Sequence, residues 1–142
     1  MTEEKKEIKK YYIDGEGIND TNIKQVAIKL AASITNSDPT INRVIFYVSK
    51  KEKGTQWFEK RKFDSLWENG IRRPNVLLKA ESSNTYHKHA IYNDIIIGLG
   101  CMGSLLETLE KYDSVKYIIS VPWQYELIKD WVDKYNVTKI SL

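Results

Sequence analysis

Cysteine is almost missing from this chain: Cys101 is the only one in 142 residues. A lone thiol excludes an intramolecular disulfide and fits a reducing compartment. Histidine occurs only as His87 and His89, so no zinc cluster of the Cys/His kind can be assembled. No apolar run approaches the ~20 residues that a spanning helix needs. The opening MTEEKKEIKK mixes charges of both signs and carries no apolar stretch ahead of a cleavage site, so it does not read as a signal peptide. A cytoplasmic protein with no membrane partner is the default expectation. Repeats, linkers and a second domain are also missing from the pattern.

What is present is ordinary for a globular protein: 42% hydrophobic and 29% charged residues, which excludes wholesale disorder. The length suits one domain over 1–142, with 1–9 as a charged lead-in. Net charge is only +3, but it is unevenly spread. Residues 1–49 carry seven basic and seven acidic side chains, residues 50–89 ten and five, and residues 90–142 five and seven. The cationic middle also holds Trp57, Phe58, Phe63, Trp67 and Tyr86. Basic residues interleaved with aromatics suit a phosphate backbone and unstacked bases. Solvated helix faces over an aromatic core explain the same composition.

Tyr11-Tyr12-Ile13 running into Asp14-Gly15-Glu16-Gly17 predicts a short strand and a turn. Ile23, Val26, Ala27, Leu30, Ala31 and Ile34 then form one apolar stripe at helical spacing, with Asn19, Asp20 or Thr21 as N-cap. Arg43 to Val48 is a nearly continuous β-branched and aromatic run, as in strands buried on both faces. Thr55 is placed to cap a second helix holding Trp57, Phe58 and Leu66-Trp67, with Gly70 at its end. Asn75–Ala80 and Lys116–Ser120 read as two more strands. A last helix carries Leu127, Ile128, Trp131, Val132 and Tyr135, and Val137 to Leu142 supply a fifth strand. Strands alternating with helices, without hairpins between neighbours, predict a mostly parallel α/β sheet of about five strands in three layers.

Gly98-Leu99-Gly100-Cys101-Met102-Gly103 admits two readings. After Ile95-Ile96-Ile97 it matches the G-x-G-x-x-G of a dinucleotide loop, which makes a small nucleotide-binding, Rossmann-like domain one alternative. The acidic residue expected about 20 positions on is lacking, since that region is Tyr117 to Val121. Alternatively Ile95, Leu99, Met102, Leu106 and Leu109 form a helical stripe capped by Asn93, and residues 94–110 are a helix. A capping box at Ser104–Glu107 offers a later start.

Ligands of open parallel sheets collect at the carboxyl ends of the strands. Asp14 and Glu16 follow the first strand, and Asp94 opens the expected helix. If the first strand neighbours the Lys116–Ser120 strand, Asp14 and Asp94 converge. Converging carboxylates suit Mg²⁺ or Mn²⁺, which activate water and stabilise the leaving oxygen in phosphodiester hydrolysis. Turn chemistry at Asp14-Gly15 and a helix cap at Asn93-Asp94 are the plainer readings. His87-Lys88-His89 reads as an exposed loop, and Cys101 as a small buried residue rather than a nucleophile. Trp123 and Trp131 read as packing residues.

Three segments carry a resemblance. Tyr12-Ile13-Asp14-Gly15-Glu16-Gly17-Ile18, Tyr92-Asn93-Asp94 and Tyr117-Ile118-Ile119-Ser120 with Tyr125-Glu126 and Trp131 resemble, in order, motifs of the PIN-like (NYN-type) nuclease domains. The resemblance implies a divalent-metal ribonuclease, with Asp14 and Asp94 as catalytic metal ligands, Glu16 as a further ligand and Glu126 as an accessory acid. Gly17 stands where that family usually has Asn, and Pro122 stands in place of a third metal-binding Asp. The resemblance therefore implies weak or absent hydrolysis. Its alternative is a nuclease-dead module that binds nucleic acid or a protein. Lys50, Lys51, Lys53 and Lys88 are the residues expected to meet the phosphates of RNA or another phosphodiester.

Overall fold

The computed structural model describes residues 7–14, 21–86 and 92–141. Glu16, His87, Lys88 and His89 lie outside the described residues, so the expectations placed on them are not addressed by the structure.

The strongest strand signal in the sequence becomes the middle of the sheet. Arg43–Val48 (β2) is buried at all six positions, as expected for a strand covered on both faces. Around it lie Lys9–Asp14 (β1), Ile71–Arg72 (β3), Leu77–Ser82 (β4), Asp94–Leu99 (β5), Val115–Val121 (β6) and Thr138–Ser141 (β7). Their order is β3-β4-β2-β5-β6-β1-β7. All pairings are parallel except that of β3 with β4. The expected α/β architecture is present, with seven strands instead of about five. Two of the additions are informative. β3 forms an antiparallel hairpin with β4 around Arg73-Pro74-Asn75, which corrects the expectation of no hairpins. β5 replaces the helix expected over 94–110.

The reason for β5 is burial. All six of its residues are buried, whereas a surface helix would turn part of this run to solvent. The apparent helical stripe fails at Met102, which is 54% exposed. Only Gly103–Glu107 (α3) is α-helical here, followed by a 3-10 turn over 108–111.

The helices form the outer layers. Thr21–Ser37 (α1) and Lys60–Glu68 (α2) cover one face, where Ile23, Ala27, Ala31, Phe63 and Leu66 meet Val44, Phe46, Ile97 and Ile119. The Thr55 cap is not used, because residues 51–56 form a 3-10 turn and α2 begins at Lys60. The opposite face is covered by α3, the 108–111 turn and Lys129–Tyr135 (α4), through Leu106, Leu109, Trp131 and Val132 on Ile45, Ile96 and Ile118. Asn136, with φ 51°, ends α4 in the left-handed conformation that asparagine tolerates. Among the described residues no helix is long and apolar enough to cross a membrane.

Candidate functional site

Connections leave β2 toward the α1/α2 face and β5 and β6 toward the α3/α4 face, while β1 sends its chain to α1. The sheet therefore has two places where neighbouring strands diverge at their carboxyl ends: between β2 and β5, and between β6 and β1. Such divergence opens the crevice in which α/β sheets take ligands.

The β2/β5 crevice is filled by the protein itself. Cys101 points its thiol at the Tyr47 carbonyl, 3.4 Å away. Its burial pushes the thiol pKa up to about 12, so it has none of the electropositive setting of a reactive cysteine. The glycines beside it make room for side chains, not for a phosphate. A Cβ on Gly98 would come 2.7 Å from Leu106 Cδ2, and one on Gly103 would come 2.9 Å from Trp131 Cβ. A Cβ on Gly100 would collide with the Trp123 indole, and Gly100 also sits at φ +66°. Trp123 in turn packs on Trp57, with ring centroids 5.1 Å apart. The strand and turn of the glycine motif are thus real, but the space its glycines vacate is occupied. Trp123 and Trp131 are packing residues.

The β6/β1 crevice holds Asp14, the last residue of β1 and exposed, as its position in the sequence implied. Glu126 is exposed beyond the end of β6, next to Tyr125, whose ring lies 5.5 Å from that of Tyr12. The expected partner of Asp14 is elsewhere. Asp94 begins β5, so it lies at the amino edge of the sheet. Tyr12 is level with Ser120 and Ser120 with Gly98. Asp14 is therefore level with residue 100, roughly 20 Å along the strands from Asp94 at about 3.3 Å per residue. One ion cannot bind both. The convergence expected from the sequence fails even though β1 and β6 are neighbours, because 94–99 is a strand running toward the carboxyl edge, not a helix leaving it.

Asp94 has a different task. It is fully buried and receives two hydrogen bonds from Arg43, Nε to Oδ1 at 2.8 Å and Nη2 to Oδ2 at 2.8 Å. The Tyr86 hydroxyl donates to Oδ2 at 2.5 Å and lies 2.8 Å from Ser114 Oγ. The Arg43 guanidinium stacks over Tyr92 at 4.1 Å. Burial works against the Arg43 charge, but the hydrogen bonds and charge of Asp94 outweigh it, and the net shift is upward. Burial and then the Asp94 charge push the Tyr86 phenol far up. Every group here is satisfied within the chain. Among the described residues no three or more His, Cys, Asp or Glu side chains are grouped so as to hold a metal ion.

Cations, by contrast, do converge at the carboxyl edge. Lys50, Lys51 and Lys53 are exposed in and before the 51–56 turn that follows β2. Lys24, from the first turns of α1, reaches the same turn: its ammonium donates to the Trp57 carbonyl at 2.5 Å and lies 4.4 Å from the centre of the Phe58 ring. Burial and then the charge of Lys62, on α2, lower the Lys24 pKa. Among the described residues none of these five lysines forms an ion pair with a carboxylate. The sequence reading missed Lys24 and Lys62. Only the position of Lys24 beside the apolar stripe, at the end of α1 nearest the carboxyl edge, hinted at it.

The chain matches no family model, no curated protein and no solved structure, so its function has to be read from the site itself.

Proposed function

We propose that this chain binds RNA or another phosphodiester strand at the carboxyl edge beside β2, through phosphates rather than base edges. The observation that carries the reading is the gathering of Lys24, Lys50, Lys51, Lys53 and Lys62 from three separate elements without a carboxylate partner among the described residues. Like charges held close cost energy, and a polyanion relieves that cost by replacing their counterions. The neighbouring aromatics Trp57 and Phe58 are buried. They anchor the turn that presents the lysines and are not stacking platforms, so sequence-independent binding is expected.

Hydrolysis is not part of this reading, since Asp94 is committed to Arg43. The test is fluorescence anisotropy of a short labelled single-stranded RNA across about 50 to 200 mM salt. Each phosphate contact contributes a slope near −0.7 in log K against log salt, so five engaged lysines give roughly −3.5. Lys50→Gln with Lys51→Gln and Lys53→Gln should flatten that slope and weaken binding, and chelating divalent ions should change neither. A flat salt response, or full binding by the triple variant, rejects the proposal. Mn²⁺-dependent cleavage lost in Asp14→Asn would favour the nuclease implied by the family resemblance instead.

A further inference from the structure

α1 packs over β1, β5 and β6, and α2 packs over β4, so the seam between the two helices runs along β2, whose Val44 and Phe46 are each only 4% exposed. A slot of about 220 Å³ results, lined by Ala31, Val44, Phe46, Val76, Leu78 and Ile97. Its lining is almost wholly apolar. Toward the amino edge it adjoins a second cavity of about 540 Å³, where Asn36, Asn42 and Asn75 bring side-chain amides. Thr35, Arg73 and Val76 line both cavities and so mark the junction between them. Arg73 is the one charged residue among the described residues lining either, and it is exposed. Among the described residues its guanidinium forms no ion pair.

We infer that this slot is a binding site for an aliphatic carboxylate, with the tail on β2 and the head on Arg73. An apolar slot with a few polar groups at one end is the usual form of a small-ligand site. Water inside it would find few hydrogen-bond partners, so an alkyl chain displaces it favourably. The planar guanidinium offers the paired donors that a carboxylate accepts. Among the described residues no carboxylate lines either cavity to repel an anion or attract an amine. The site lies at the opposite edge of the sheet from the lysine cluster and does not depend on the RNA reading.

Octanoate is a suitable probe, followed by amide chemical shifts of the full chain, with octylamine as the control of opposite charge. Ala32 is exposed on α1 and lines the slot, so Ala32→Trp roofs it without disturbing the core. Saturable shifts around β2 with octanoate and none with octylamine are expected. Arg73→Gln should weaken octanoate about tenfold, the worth of one charge-assisted bond, and Ala32→Trp should abolish its binding. No saturable octanoate binding, equal binding of octylamine, or binding indifferent to both substitutions overturns the assignment.

Discussion

Replacing Asp94 by asparagine keeps the shape of the side chain and removes its charge. In the folded protein the Arg43 side chain is 6% exposed and that of Asp94 0%, so the positive charge left behind has no water to turn to. Breaking a buried ion pair from one side costs about 3–5 kcal/mol, because the surviving charge stays buried and unpaired. The new amide also points an N–H₂ at a guanidinium that can only donate. For a chain of this size the loss corresponds to a fall in Tm on the order of 10–20 °C. Urea and thermal denaturation followed by circular dichroism would measure it. Two companions sharpen the test. Asp14→Asn, at an exposed position, should change stability by no more than about 0.5 kcal/mol. Arg43→Met combined with Asp94→Leu should recover much of the loss, since hydrophobic replacement of a whole buried pair is often tolerated. If Asp94→Asn is as stable as the parent, Asp94 is not the structural anchor described above.

Other consequences follow from the same geometry. Tyr86→Phe removes the hydroxyl shared by Asp94 and Ser114 and should cost about 1–3 kcal/mol by urea denaturation. Gly100→Ala should cost at least about 2 kcal/mol, from the positive φ and the Trp123 indole together. Added nucleotide should not alter amide exchange over 98–103, because the glycine spaces are full. Cys101 should resist a thiol reagent in the native state and react on unfolding, being 1% exposed. Its thiol pKa is raised by burial from 9.0 to about 12. A raised folded-state pKa contributes stability that is present below pH 9 and lost as pH climbs toward about 12. The stability difference between the parent and Cys101→Ala should therefore narrow over that interval.

Much of the fold was legible because its signals are local. The unbroken run Arg43–Val48 and the stripe from Ile23 to Ile34 each carry their own period, and both elements form where expected. The failure at 94–110 has a physical origin as well. Ile95, Leu99, Leu106 and Leu109 satisfy helical spacing by coincidence, and a buried strand, a turn and a short helix bury the same four residues. Three successive isoleucines were the better guide, since β-branched residues favour the sheet. The two-residue β3 is too short to leave a pattern. At the candidate site, the position of Asp14 and the cationic character of 50–53 could be read from the chain alone. The Arg43–Asp94 pair could not, because nothing local joins residues 51 positions apart. Lys24 reaches the cluster only through the packing of α1 against the turn at Trp57.

The most direct measurement is an amide chemical-shift titration of the protein with short single-stranded RNA at low salt. Perturbations are expected only at residues 50–57 and in the segments around Lys24 and Lys62, fading as salt is added. Perturbations centred on Asp94 and Arg43, or on α3 and α4, would contradict it.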